Sequence, residues 1–286
     1  MSADGSLLKR RQLGGELRRL RGPRKLKDVA SELRRSSAWL SRIEKGQEGA
    51  TLRPAELREM LRIYGISDEQ SVTQLMELLN TSADSDWWER YKSVLPSGLD
   101  TFVGLEAEAR KEVAFELAIV PGLLQIEAYA RAIVAFNRSR SAEATDQLVA
   151  MRLERQRALS RATDPLELHV ILNESVLHHI VGSPAVMRDQ AEYLLTAAAM
   201  PNVTIQILPH GVGAHFGMAG AFSVLSFDDD LGAGIVYVDS QAGNLYLEKP
   251  HDVARFRQGF DELSTSACGS EASNSILKRI AKDYTR

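Results

Sequence analysis

The sequence predicts an α+β multidomain chain, with a five-helix head over residues 1–80 and a larger α+β domain over 81–286 whose sheet is mainly antiparallel. Three observations predict it. Apolar residues recur at three-four spacing through the first 80 positions, which is helical periodicity. From Pro165 onward, short runs rich in β-branched and aromatic residues alternate with period two, which is strand periodicity. The charge is split along the chain. Residues 1–62 hold sixteen Lys/Arg and eight Asp/Glu, a net of +8. The other 224 residues hold 19 basic and 30 acidic side chains, a net of −11. A basic head concentrates polyanions at its surface, and an acidic body repels them.

The head reads as five short helices. Gly15 to Arg21 places Leu17 and Leu20 on one face and arginines on the other. Leu26 to Leu33 aligns Leu26, Val29, Ala30 and Leu33. Arg34 and Arg35 form a turn. Ser36 is an N-cap whose hydroxyl can accept an orphan backbone N–H of the third helix, which buries Leu40 and Ile43 and ends at Gly46. Pro54 opens a fourth helix with Leu57, Met60, Leu61 and Tyr64 as its stripe, and Gly65 ends it. Ser67 and Gln70 form a capping box for a fifth helix through Leu75 and Leu79. Lys9, Arg10 and Arg11 are candidates for a basic arm.

Two short helices joined by a tight turn form a helix-turn-helix, and the small side chain of Ala30 suits their close crossing. The stretch 29–46 resembles the Xre-type, lambda-repressor-like helix-turn-helix at Val29, Ala30, Leu33, Ser36, Leu40, Ser41, Ile43, Glu44 and Gly46. It departs where that family usually has Gly, at Arg34, and Thr or Ser, at Lys25. A positive φ is expected at Arg34. The resemblance implies that the third helix lies in the major groove of double-stranded DNA. Ser37, Ala38, Trp39 and Arg42 are then the candidate base readers. Arg42 can bond both acceptors of guanine, and Ala38 can touch a thymine methyl. Trp39 either packs on a deoxyribose or base edge or covers part of the fourth helix. Lys25, Lys27, Arg34, Arg35, Ser36, Lys45 and Arg53 are the candidate phosphate contacts, which set register and affinity. Such heads usually read two half-sites about 34 Å apart, so a homodimer is expected.

The body follows a small polar linker, Thr81 to Asp86. Trp87, Trp88 and Tyr91 at helical spacing read as a dock between body and head in preference to a ligand cage. Glu106 to Phe115 reads as helix, VPGLLQ (120–125) as a turn into a helix ending near Phe136, and Thr145 to Ser160 as a helix with Leu148, Met151 and Leu159 inward and Arg152, Arg155 and Arg157 outward. Strands are expected at 166–172, 203–209, 221–227, 234–240 and 243–249. Helices are expected at Glu174 to Ile180, Val186 to Met200, Val253 to Leu263 and Ser273 to Tyr284. The short spacing of the last three strands permits hairpins.

The ordered segments WWERYKSVLP, FVGLEAEA, VPGLLQIEAYARA, PNVTIQILP, GAHFGMAGAF, VYVDS and LYLE resemble WhiJ-like regulators of actinobacteria, which pair an Xre-type head with a large C-terminal domain. The resemblance implies a sequence-specific transcriptional regulator whose C-terminal domain binds a small partner protein or an effector in an antitoxin-like arrangement. The alternative is a small-molecule receptor or enzyme domain tethered to DNA. Glu174, His210 and His215, around the Gly-rich loop HGVGAHFGMAG, form the candidate effector or partner loop.

No enzyme is expected. The glycines lack a following Lys-Ser/Thr, no GxSxG elbow occurs, and no HExxH spacing supports a metal, so neither metal nor cofactor is expected. His178 and His179 are adjacent and diverge by about 100° on a helix. Cys268 has no intramolecular partner for a disulfide, which fits a reducing compartment. The N-terminal stretch lacks a signal-peptide core, and the uncharged run Tyr193 to Phe227 is broken by prolines and glycines. A cytoplasmic, nucleoid-associated protein with no membrane partner is expected.

Overall fold

A computed structural model describes residues 7–46, 51–66, 68–80, 87–96, 98–136, 140–227, 234–240 and 243–285. The polar linker 81–86 and Ser67 of the capping box lie outside these. The chain divides into two compact units, Met1–Trp87 and Trp88–Arg286.

The head consists of α1 (Leu7–Arg21), α2 (Leu26–Glu32), α3 (Ser37–Glu44), α4 (Pro54–Tyr64) and α5 (Glu69–Asn80). Leu17, Val29, Leu40, Leu57 and Met60 are fully buried in one shared core. The first helix begins well before Gly15, so Lys9, Arg10 and Arg11 lie inside α1 and do not form an arm. Their position follows from packing. A Cβ on Gly14 would stand 2.4 Å from the Ile43 carbonyl oxygen, and one on Gly46, at φ 59°, would meet the Arg11 backbone at 2.7 Å. Those two glycines let α1 close on the end of α3. The cap of α5 falls on Asp68, whose carboxylate accepts from the backbone N–H of Gln70 and Ser71 at 3.1 and 3.2 Å.

The body carries α6 (Leu99–Glu108), β1 (Lys111–Glu116), α7 (Glu127–Ala135), α8 (Ala142–Arg155), β2 (Glu167–Asn173), α9 (Pro184–Ala197), β3 (Val203–Leu208), β4 (Phe222–Ser226), β5 (Ile235–Val238), β6 (Leu245–Leu247), α10 (Pro250–Ser266) and α11 (Ser270–Asp283). Six strands form one mixed sheet in the order β3-β2-β1-β4-β5-β6. β1 pairs parallel with β2, and β2 with β3; the three pairs from β1 through β6 are antiparallel. The expected mainly antiparallel character holds on that side, and the parallel half arises from helical crossovers after β1 and β2.

Residues 106–115 do not form one helix. α6 stops at Glu108, and KEVAFE becomes β1, in the interior of the sheet. A strand buried on both faces loses the clean alternation that marks a half-exposed one. Glu112 and Glu116 on one face further disguised it as an amphipathic helix. Val113 and Phe115 point to the opposite face, where Phe222, Val224, Val253 and Phe260 join Phe115 in a core beneath α10. The outer edge of β3 is closed by the α10–α11 junction: the Ile207 carbonyl accepts from Cys268 N–H at 2.9 Å, and Ile207 N–H donates to Ser273 Oγ at 3.0 Å.

Candidate nucleic-acid interface and the polar clusters of the body

The turn between α2 and α3 is built by its backbone. Arg34 sits at φ 53°, as its place in the turn requires. Arg34 N–H donates to the Ser31 carbonyl at 3.0 Å, and Arg35 N–H to the Ala30 carbonyl at 2.9 Å. That pair of bonds is a helix-ending arrangement in which the left-handed residue is most often glycine. Ser36 then caps α3, its Oγ accepting from Trp39 N–H at 3.1 Å.

α3 has two chemically distinct faces. Leu40, Ile43 and Glu44 are buried, whereas Ser37, Ala38, Arg42 and Lys45 are exposed. Glu44 is held by Arg21 of α1 through Nε–Oε1 at 2.6 Å and Nη2–Oε2 at 3.0 Å. Hydrogen bonding to Glu44 raises the guanidinium pKa of Arg21. The neighbouring Tyr64 hydroxyl is buried without a hydrogen-bond partner, and burial pushes its pKa up to about 12.

Lys25, Lys27, Arg34, Ser36 and Arg53 are also exposed. Arg35 is exposed too, but its guanidinium pairs with Glu56 of α4 and lies 5.2 Å over the ring of Trp39. Trp39 is half-buried and packs against the head core. Glu56 also closes the start of α4, accepting from Arg53 N–H at 2.8 Å. The Arg35–Glu56–Trp39 and Arg21–Glu44 links join elements distant in sequence, and periodicity along one helix does not reveal them.

In the body, Tyr91 is buried and its hydroxyl donates to Glu154 of α8 at 3.0 Å; Arg90 pairs with the same carboxylate. The segment after β2 is a 3-10 turn over Glu174–Leu177, not a helix to Ile180. Glu174 and His210 do meet. The Glu174 carboxylate accepts from His210 N–H at 3.1 Å, and His178 and Arg279 approach it at 3.9 Å. The rings of His178 and His210 stack with centroids 6.3 Å apart. His215 is not part of this group. It lies edge-on to Phe115 at 5.7 Å with Nδ1 buried and unpartnered. The Gly-rich loop carries the chain from β3 across β2 and β1 to β4, which is why its two histidines separate. Among the described residues, no group of three or more His, Cys, Asp or Glu side chains could hold a metal ion. No helix among them is long and apolar enough to cross a membrane.

A second polar cluster was invisible in the sequence. Arg155, expected outward, is buried against Glu106 through two bonds of 2.7 Å. The α8 helix turns this arginine toward α6 because Met151 and Leu148, one and two turns earlier, bury on the same side. Glu112 is 4% exposed and accepts from Ser223 Oγ at 2.8 Å, leaving Oε2 with no hydrogen-bond donor. Burial, then the charge of Glu106, raises the pKa of Glu112 to about 8. Burial, then the charge of Glu112, does the same for Glu116. Tyr237, cross-strand neighbour of Ser223, stacks on Phe102 at 4.1 Å and has an unpartnered buried hydroxyl. At the other end of β1, an open hollow of about 540 Å³ is lined by residues of both signs, including Arg110, Asp164 and His169.

Two family models match. Residues 12–75 match a helix-turn-helix domain, and residues 99–279 match a domain of unknown function, DUF5753. No curated protein and no solved structure matches the chain. The DUF5753 match spans most of the chain and includes every strand of the sheet as well as the Glu106–Arg155 pair. The chain therefore belongs to the DUF5753 family and carries a helix-turn-helix domain ahead of that module.

Proposed function

We propose that this protein is a sequence-specific transcriptional regulator of the Xre type, working as a homodimer on double-stranded DNA. The observation that carries the reading is the division of α3: Leu40, Ile43 and Glu44 anchor it, while Ser37, Ala38 and Arg42 face solvent. A helix held that way is free to enter a major groove. Arg42 is the principal base reader, Ser37 and Ala38 are secondary readers, and Trp39 supports α3 from the side while Arg35 covers its ring. Lys25, Lys27, Arg34, Ser36, Lys45 and Arg53 contact phosphates. Arg35 joins them at the cost of loosening its pairing with Glu56.

The acidic body is the regulatory domain in this reading. It binds an effector or a small partner protein in the antitoxin-like arrangement of WhiJ-like regulators, and it performs no catalysis. Such a protein works in the cytoplasm, at the nucleoid. The test is selection of bound duplexes from a random library, followed by affinity measurements on the recovered site and on scrambled DNA. Recovery of a two-fold symmetric site supports the reading. Recovery of no preferred sequence overturns it.

A further inference from the structure

The strongest unexplained feature of the body is the line of acids on the sheet face shared by β1 and β5, from Glu112 near the start of β1 to Glu116 at its end. β1 is the strand at which the sheet reverses its order, with β2 and β3 added on one side and β4 to β6 on the other. Glu116 is the last residue of β1, and it is partly exposed. β5 runs in the same direction as β1, because both are antiparallel to β4. Its Tyr237 and the following, exposed Asp239 therefore lie at the same end of the sheet.

Carboxyl groups outnumber cations there. Glu106, Glu112, Glu116 and Asp239 gather around Arg155, whose two hydrogen bonds both go to Glu106, and Arg161 also acts on Glu106. The wall is aromatic: Phe102 stacks on Tyr237, and Tyr237 meets Tyr246 at 5.3 Å. The cluster already accommodates one cation over a ring, since the Arg155 guanidinium lies 5.5 Å from the Phe102 centroid. Tyr237 supplies a second, separate sign of an absent partner, because its hydroxyl is buried at 7% residue exposure with nothing bonded to it. Carboxylates, an aromatic wall and an unused hydroxyl are what a cation with N–H donors requires.

We propose that the sheet face shared by β1 and β5, between Glu116, Tyr237 and Glu112, is a binding site for a small organic cation bearing N–H donors, a primary ammonium or guanidinium. The ammonium bonds Glu116 and the Tyr237 hydroxyl, and Glu112 behind them supplies the compensating charge. Asp239 marks the mouth, and the net −11 of residues 63–286 steers cations toward it. This names the effector of the regulatory reading and rests on that reading only for its consequence at DNA.

Occupation has a proton signature. The groups facing Glu112 and Glu116 are Glu106 from α6, Arg155 from α8, Tyr129 from α7 and Tyr237 and Asp239 from β5 and its end. With both glutamates raised to about 8, they enter binding largely protonated at neutral pH. A bound cation favours their ionised forms, so binding releases protons, and affinity rises between pH 6 and pH 8.

The test is isothermal titration calorimetry of the full chain, without DNA, using putrescine and agmatine as probes. Tetramethylammonium, which has no N–H, and sodium chloride at equal ionic strength are the controls. The expected result is saturable binding of a probe but not of the controls, with heats that differ between phosphate and Tris buffers because protons are released. Glu116→Gln and Tyr237→Phe should each weaken it about tenfold or more. Probe heats equal to those of the controls overturn the proposal, as does binding unchanged in both variants. If a variant fails to fold, the buffer dependence of the unaltered chain decides. Because DNA is absent from the cell, failure here leaves the DNA reading standing, and failure of operator binding leaves this site standing.

Discussion

Arg21 and Glu44 lock the first helix of the head to the third: two nearly parallel hydrogen bonds, 2.6 and 3.0 Å long, join a guanidinium to a carboxylate that is 6% exposed. The pair sits on the side of α3 turned away from the exposed Ala38 and Arg42, so it fixes how those side chains are presented. Removing one partner strands the other. Glu44→Ala should destabilise the head by about 2–4 kcal/mol in chemical denaturation. Glu44→Ala with Arg21→Met should recover part of that loss. A single-variant loss below about 1 kcal/mol would show that the pair is dispensable.

Base reading and phosphate gripping separate by mutation. Arg42→Ala should weaken the selected site by about 1–3 kcal/mol while changing scrambled DNA far less. Lys45→Ala should weaken both alike and reduce the slope of log affinity against log salt by about one. Fluorescence anisotropy over a salt series checks both. Equal losses on the two DNAs for Arg42→Ala would remove it as a reader.

Arg34 holds φ 53° in the turn before α3. A residue with a Cβ pays for that conformation, so Arg34→Gly should stabilise the head, by about 0.5–1 kcal/mol. The same substitution removes an exposed cation and should lower the salt slope on DNA. A variant with lower thermal stability than the parent would mean that the Arg34 side chain contributes more than its backbone costs.

The raised carboxyls of the body make stability depend on pH. Glu112 and Glu116 hold their protons up to about pH 8 when folded, and release them near the ordinary carboxylate value when unfolded. The folded chain therefore binds more protons between those limits, and stability falls as pH rises through that window toward about 8. Melting temperatures of the body should decline from pH 5.5 to pH 8.5. Glu112→Gln keeps an acceptor for Ser223 and removes the charge, so its melting temperature should exceed the parent's at pH 8.5 and approach it at pH 5.5. A parent profile that rises across this window would contradict the assignment.

Local chemistry was legible where a few adjacent residues suffice to specify it. Ser36 before α3, Pro54 at the start of α4, Gly65 at its end and the turn at Arg34–Arg35 all follow from cap and turn rules. The strands from β2 onward were legible because each is a short run of β-branched and aromatic residues. β1 was not, because Glu112 and Glu116 on a buried face contradict what an interior strand normally presents. Arg155 misled for the same reason. On a helix surface an arginine is ordinarily solvated, and only the approach of Glu106, 49 positions earlier, makes its burial tolerable.

The sequence alone determined that a basic helical head precedes an acidic α+β body, and where most helices and strands fall, because periodicity, caps and charge are properties of neighbouring residues. Only the tertiary structure decided which polar side chains meet. The Arg21–Glu44 lock, the Glu174–His210 contact without His215, and the acids gathered around Tyr237 depend on strand order and helix crossing. Those place residues tens of positions apart within a few ångströms, and no pattern within one segment records that distance.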